Sequence, residues 1–391
     1  MTFPVHFSER LQKLPPYLFA ALDAAKRKAI AEGKKIVDLG VGDPDLPTPR
    51  SVISALAEAA KDPKNHRYAL DQGLPELRAS IQEWYKKRFG VSLDPQTEIL
   101  PLIGSKEGIA HLPLGLINPG DSVLVPDPCY PPYRSGTLFA GGKIISLPLL
   151  EKNGFRPDWA TLKRSQFKKA KLLFLNYPNN PTGATCEADF FDEAIDFCRR
   201  HRIILCHDAA YTEITFDGYR ATSFLERPGA IEVGIEFHSL SKTYNMTGWR
   251  IGFACGRREI LAALSKVKAN IDSGIFQAVQ IAGITAMKLP ARELAARNKI
   301  YEERRDLLVD GLNRLGWNIQ KPRATFYVWA RVPLRGKSSS DFSKLALQNG
   351  GILTTPGIGF GPSGEGYIRM ALTVSKERIE EACARFRKLL G

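Results

Sequence analysis

The chain has 391 residues, 44% hydrophobic and 25% charged, ordinary values for a globular protein that buries a core without disulfides or a structural metal. They exclude a disordered chain, a fibre and a disulfide-stapled secreted module. The formal net charge of +14 raises nucleic-acid binding, but the basic residues are scattered, with Lys86-Lys87-Arg88 among the densest clusters. The pattern is that of a solvated basic surface, which also helps to capture anionic small molecules.

A single core rarely grows beyond about 250–300 residues, so two domains, or one large domain with a satellite, are expected. Residues 1–45 are predicted to pack on a small C-terminal domain of residues 291–391, with 46–290 forming the large domain. None of the six cysteines forms a C-x-x-C pair, so they read as reduced, mostly buried thiols, and no metal is expected. Met1 to Arg10 lacks an apolar signal core, and nowhere do 18 apolar residues run together. A cytoplasmic protein is the expectation.

In chain order, Thr48 and Pro49 suit the cap and first turn of a helix from Ser51 to Lys61. Ser105 and Lys106 follow Gly104 and open an apolar helix from Glu107 to Ile117, whose first N–H groups suit a phosphate. Ser122–Pro126, Lys171–Asn176 and Arg202–His207 read as buried strands. Between Glu187 and His201, Phe190, Phe191, Ala194, Ile195 and Cys198 recur at helical spacing. Further strand-like runs end at Phe237 and span Ile251 to Cys255. Apolar strands alternating with amphipathic helices predict a parallel sheet covered on both faces. The last third mixes a long helix over about 293–315, a strand Phe326–Ala330, a helix Ser340–Gln348, strands near Ile352 and Tyr367, and a helix Lys376–Leu390. That mixture predicts an α+β satellite.

Three polar clusters fall just beyond the C-terminal ends of predicted strands, where open α/β sheets bind ligands. They are Asn176-Tyr-Pro-Asn-Asn-Pro-Thr-Gly183, His207-Asp-Ala-Ala-Tyr211, and His238-Ser-Leu-Ser-Lys-Thr-Tyr244 with Thr247-Gly-Trp-Arg250. Singly each is ordinary: a turn, a cap, a solvated lysine. Two glycine runs are set aside. Pro362 follows Gly357-Ile-Gly-Phe-Gly361, Asp-Pro follows Gly40-Val-Gly42, and neither opens a helix as a dinucleotide loop must.

In their order, the clusters resemble the class I aminotransferases among the fold-type I pyridoxal-phosphate enzymes. The likeness runs from Leu39-Gly-Val-Gly42 to Tyr367-Ile-Arg369. It implies an α/β large domain with a mostly parallel sheet of the seven-stranded type, a smaller α+β domain, and pyridoxal 5'-phosphate as cofactor. On this resemblance Lys242 is the amine that joins the cofactor aldehyde and shuttles the substrate proton. Asp208 faces the pyridine nitrogen and keeps it protonated. Tyr211 and Asn180 match donors to the phenolic oxygen, and Tyr130 the ring stacked on the cofactor. Ser105, Lys106, Ser239, Ser241 and Arg250 match the phosphate contacts. Arg369 matches the fork that binds the substrate α-carboxylate, and Gly42 the backbone that closes over the substrate. Tyr68 matches the residue that reaches the phosphate of a neighbouring subunit, which implies a homodimer with shared active sites.

Leu14-Pro-Pro-Tyr-Leu-Phe19, Ile103–His111, Glu236–Trp249 and Asp272–Gln277 carry a finer resemblance, to bacterial LL-diaminopimelate aminotransferases of lysine synthesis. Those enzymes interconvert LL-2,6-diaminopimelate plus 2-oxoglutarate with tetrahydrodipicolinate plus glutamate. Lys106 and Tyr17 are then candidates for the distal carboxylate. Asp71, supplied across the dimer or only a turn residue before Gly73, is a candidate for the distal ammonium. A broader aspartate, alanine or aromatic aminotransferase is the runner-up, and a C–S lyase a further one. A regulator with an aminotransferase-like domain needs a DNA-binding domain, for which residues 1–45 are too few. No membrane or nucleic-acid partner is expected.

Overall fold

Strands covered on both faces have no wet side, so the sheet at the centre is built largely from apolar runs; Gly234–Ser239, where Glu236 and His238 alternate with Ile235 and Phe237 and are nonetheless buried, is an exception. The computed structural model describes residues 3–69 and 72–390. Val37–Asp38 (β1) precedes the main sheet. That sheet comprises Ile99–Leu102 (β2), Ser122–Asp127 (β3), Lys143–Pro148 (β4), Ala170–Leu175 (β5), Ile204–Asp208 (β6), Gly234–Ser239 (β7) and Gly252–Gly256 (β8). The order across it is β2-β8-β7-β6-β5-β3-β4. Only the two pairs made by β8 are antiparallel. The residues between β7 and β8 form a one-turn helix, Leu240–Thr243, and a 3₁₀ turn, Thr247–Trp249. Neither is long enough to cross back over the sheet, so β8 returns beside β7 in the opposite sense. Every residue of β2, β3, β7 and β8 is buried, whereas the edge strand β4 is largely open.

Helices cover both faces. On one side Tyr85, Phe191, Leu205 and Phe224 share a core. On the other Ile109, Leu112, Tyr133 and Phe237 share a second. Ala188–His201 buries Phe190, Phe191, Ala194, Ile195 and Cys198, the stripe its spacing predicts, together with Phe197. The alternation of β6 and β7 matters most: His207 and Glu236 turn to the first core, and Asp208 turns to the second with Tyr133.

The last third contains Tyr327–Arg331 (β9), Ile352–Leu353 (β10), Thr355–Pro356 (β11) and Tyr367–Ala371 (β12). The strands β11-β12-β9 form an antiparallel sheet, and β1 pairs with β10 in parallel. The helices Ala291–Asn313, Ser339–Gly350 and Lys376–Leu390 close a third core around Leu308, Phe342, Ile368 and Phe386. Val37 and Leu39 enter this core, and so does Tyr211 from just beyond β6.

One local expectation fails. The helix expected to begin at Ser51 runs Arg50–Ala59, with Pro49 at its N-cap and no side-chain cap. Thr48 is not its cap. Its hydroxyl donates to the Asn245 carbonyl at 2.6 Å, a buried bond that ties this segment to the loop after Lys242. Gly357–Phe360 forms a 3₁₀ turn, not a ligand-binding helix start. Among the described residues, no helix is long and apolar enough to cross a membrane.

Candidate active site

The C-terminal ends of β3, β5, β6 and β7 open on one side, and the polar clusters lie there. Asp208 ends β6 and is buried. Its Oδ2 accepts a hydrogen bond from the Tyr133 hydroxyl at 2.7 Å, and its buried Oδ1 has no partner among the described residues. Burial pushes the carboxyl above its ordinary range, while the Tyr133 bond and the His207 charge pull the other way. Tyr133 is held in turn by stacking on Phe174, with ring centres 4.9 Å apart.

Lys242 follows β7 in the turn capped by Ser239, whose Oγ accepts from the Ser241 N–H at 3.2 Å. The Lys242 amine donates to the Gly42 carbonyl at 3.1 Å and lies 5.6 Å from the centre of the Phe326 ring. Burial lowers its pKa to about 8, opposed by Asp43 and assisted by the positive charges of Arg369 and Arg250. A lysine near 8 is partly neutral close to neutral pH and therefore nucleophilic.

Arg369 lies in the middle of β12 and is only 1% exposed. It donates to Asn180 Oδ1 at 2.7 Å and to the Gly40 carbonyl at 2.9 Å, both neutral, and its buried Nε has no partner among the described residues. The rings of Tyr327 and Phe360 sit 4.1 and 4.8 Å from the guanidinium carbon. A buried guanidinium without an anion carries a desolvation penalty of several kcal/mol, so this arrangement suits an incoming carboxylate. Asn180 is itself fixed, its N–H bonded to Asn176 Oδ1 at 2.7 Å.

Tyr327 is a residue that sequence reasoning missed. Its hydroxyl meets the Tyr211 hydroxyl at 3.1 Å, and a Cβ at Gly42 would collide with it. Gly42 is therefore required to be glycine by close approach. Tyr133 was missed as well; its one signal is its place three residues after Tyr130. For Tyr327, set in an ordinary apolar strand, no sequence signal exists.

At the other end of the site, Gly104 (φ +75°) is the N-cap of the helix Ser105–Leu116. A Cβ there would strike the Arg250 guanidinium, so that cation lies directly over the helix start. Arg250 itself has φ +54° and donates to the Thr247 carbonyl at 2.9 Å. Ser241 Oγ is buried without a partner. The unpaired Asp208 Oδ1, the unpaired Ser241 Oγ, the lowered amine of Lys242 and the Arg250-covered helix start together fit pyridoxal 5'-phosphate: a carboxylate for its ring nitrogen, an amine for its aldehyde, and donors for its phosphate.

Tyr130 is partly exposed and meets Tyr133 edge-on at 5.9 Å. Lys106 is exposed, and its amine meets the Tyr17 hydroxyl at 3.2 Å, so the two candidates for the distal carboxylate are brought together. Tyr68 is not gathered into this cluster. It is 81% exposed, and its carbonyl accepts from Gln277 Nε2 at 3.3 Å. Asp71 lies outside the described residues.

Residues 34–386 match the family model described as aminotransferase class I and II. An LL-diaminopimelate aminotransferase of Syntrophobacter fumaroxidans is 57% identical over 382 residues, covering 98% of each chain. One from Moorella thermoacetica is 54% identical over 384 residues, again covering 98% of each. Among solved structures, substrate-bound BacF from Bacillus subtilis superposes with a TM-score of 0.96 at 38% identity, covering 99% of this chain and 98% of that one.

Proposed function

The chain belongs to the class I and II aminotransferases, and from that premise we propose that it moves an amino group between LL-2,6-diaminopimelate and 2-oxoglutarate in lysine biosynthesis. The products are glutamate and 2-amino-6-oxopimelate, whose amine closes on its own ketone with loss of water to give tetrahydrodipicolinate, and the reaction is reversible. The observation that carries the chemistry is the buried Arg369, held by Asn180 and Gly40 with no carboxylate on its fork among the described residues. Every amino or oxo acid in this reaction brings an α-carboxylate to that fork. The specific substrate is supported by full-length identity above half to two relatives of that name. The paired Lys106 and Tyr17 add a cation and a hydroxyl for the second carboxylate. A general aspartate, alanine or aromatic aminotransferase is not favoured beside such relatives.

Enzymes of this family use pyridoxal 5'-phosphate, and we assign its site here to Lys242, Asp208, Tyr211, Asn180, Tyr130, Ser105, Lys106, Ser239, Ser241 and Arg250. When bound, the cofactor supplies an electron-accepting ring that stabilises the carbanion left by the substrate α-proton. Asp208 holds the proton on the ring nitrogen through Oδ1. Tyr211 and Asn180 donate toward the phenolic oxygen. Ser105, Lys106, Ser239, Ser241 and Arg250 fix the phosphate. Arg369 orients the substrate so that its α-hydrogen faces Lys242, whose freed amine removes that proton. The six thiols are free and five are buried, in keeping with a reducing cytoplasm.

The test is a panel of amino donors added to the purified enzyme, read by the absorbance change of its cofactor. LL-diaminopimelate is expected to react, and 2-oxoglutarate to reverse the change. Free use of aspartate, alanine or phenylalanine with no response to LL-diaminopimelate would overturn the substrate assignment and leave the cofactor chemistry standing. Arg369→Lys is expected to raise KM for both substrates about 10- to 100-fold, the loss of one charge-assisted fork worth about 1.5–3 kcal/mol. Lys106 is exposed, so Lys106→Ala should weaken binding less, by about 1 kcal/mol or under.

A homodimer with shared sites completes the proposal. Tyr68 projects from its own protomer, which suits a residue lent to a neighbour. Mixing Lys242→Ala with an impaired Tyr68→Phe variant is expected to recover activity, because one site per heterodimer regains both residues. Demonstrated subunit exchange without recovery would place Tyr68 in its own site or in none.

A further inference from the structure

Behind the helix start assigned to the phosphate lies a buried ion cluster that the reaction does not use. Lys268, on the helix Arg258–Ala269, is 1% exposed. Its ammonium donates to Asp272 Oδ1 at 2.6 Å and lies 3.4 Å from both oxygens of Glu107. Glu107 is the third residue of the helix Ser105–Leu116. Its Oε2 accepts the N–H of Ile103 at 2.6 Å, so the side chain reaches backward past Gly104 and fixes the turn that presents Ser105 and Lys106.

The placement has a physical consequence. The first N–H groups of a helix lack intrahelical acceptors and attract anions. A carboxylate in the first turn is drawn to the same groups by the helix dipole and would compete with an anionic ligand for them. Here Lys268 draws the Glu107 carboxylate to itself while that carboxylate holds Ile103. The same ammonium anchors Asp272, whose Oδ1 also accepts the Gly274 N–H at 2.7 Å. That loop leads into Gln277, whose Nε2 reaches the carbonyls of Arg67 and Tyr68 at 3.2 and 3.3 Å.

We propose that Lys268 is a positioning residue for the phosphate group of the cofactor: through Glu107 it sets the turn Ile103-Gly104-Ser105 and keeps the helix-start donors of Ser105 and Lys106 for the ligand. The proposal rests on the assignment of those two residues to the phosphate. A merely structural ion cluster would weaken every ligand of the apoenzyme alike. A positioning role confines the loss to ligands that carry the phosphate.

The measurement is the dissociation constant of the full-length apoenzyme for pyridoxal 5'-phosphate and for pyridoxal, which lacks the phosphate. Wild type should bind the phosphorylated form much more tightly. Lys268→Met is expected to weaken pyridoxal 5'-phosphate at least tenfold while pyridoxal changes less than twofold. A folded Lys268→Met protein with the wild-type ratio would overturn the proposal. Should that variant fail to fold, Lys268→Gln keeps a donor between Glu107 and Asp272 but not the charge; a smaller fall in the ratio is expected, and an unchanged ratio overturns the proposal. A wild-type ratio near one would remove the phosphate assignment itself, and the positioning role with it.

Discussion

Replacing Lys242 with alanine is expected to lower the transamination rate by at least about four orders of magnitude, more than 5 kcal/mol of barrier. Two contributions are lost at once. A positioned acid–base group alone is worth about 10²–10⁴ in rate. Alanine also has no amine to attach the cofactor covalently. Folding should survive, because the amine makes one hydrogen bond, to the Gly42 carbonyl. Borohydride reduction and peptide mapping of the wild-type enzyme should place the pyridoxyl label on Lys242, and a label on another lysine would sink the assignment. The depressed pKa adds a pH signature. Its cause is burial, with Arg369 and Arg250 adding to the effect, so the amine loses its proton near pH 8 and not near 10.5. Cofactor attachment to the apoenzyme should therefore speed up as pH rises toward 8 and level off above it. A rate still climbing steeply between pH 9 and 10.5 would show an amine with an ordinary pKa.

How much of this site is legible in the chain depends on where each residue's role comes from. Asp208 and Lys242 lie one or a few residues beyond apolar runs, so their place at strand ends follows from local pattern. Arg369 is flanked by Ile368 and Met370 in a strand. Pattern places it in the sheet but does not show that its fork meets Asn180 and Gly40 and no carboxylate, which requires two distant segments to converge. Tyr133 and Tyr327 act through tertiary approach to Asp208 and Gly42; the first has only its place three residues after Tyr130 as a local mark, and the second has none. The sense of β8 was equally hidden, because apolarity reports burial and not direction. Thr48 precedes a helix as a cap would, yet its hydroxyl is drawn to a carbonyl far along the chain. Lys268 has the look of one more charge on an amphipathic helix. Only the folded chain shows it closed off from water between Glu107 and Asp272.

Asp208→Asn is expected to keep the fold and to lose between two and four orders of magnitude in transamination rate, about 3–5 kcal/mol of barrier. The amide has the shape of the carboxylate, so Tyr133 can still donate to its oxygen and the packing against Phe174 is undisturbed. What it lacks is charge. Burial raises the Asp208 carboxyl above its ordinary range, and what favours the ionised form here is first the Tyr133 hydroxyl bond, then the neighbouring His207, the Ala210 N–H and His238. With Oδ2 engaged by Tyr133, the buried Oδ1 is the atom that would hold a proton on the ring nitrogen of the proposed cofactor. A neutral amide in its place would no longer favour a protonated ring nitrogen in bound pyridoxal 5'-phosphate, and the electron sink that the cofactor would supply there would be weaker. The loss should therefore fall on kcat more than on KM, because Arg369 and Lys106, the residues proposed for the two carboxylates, are unaltered. Tyr133→Phe should show the same defect in weaker form, since it removes the hydroxyl that favours the ionised acid and leaves the acid in place. Single-turnover rates with LL-diaminopimelate, measured beside thermal melts, separate these effects from misfolding. A folded Asp208→Asn enzyme turning over at a near-normal rate would show that the charge next to the ring nitrogen is not what drives proton removal here.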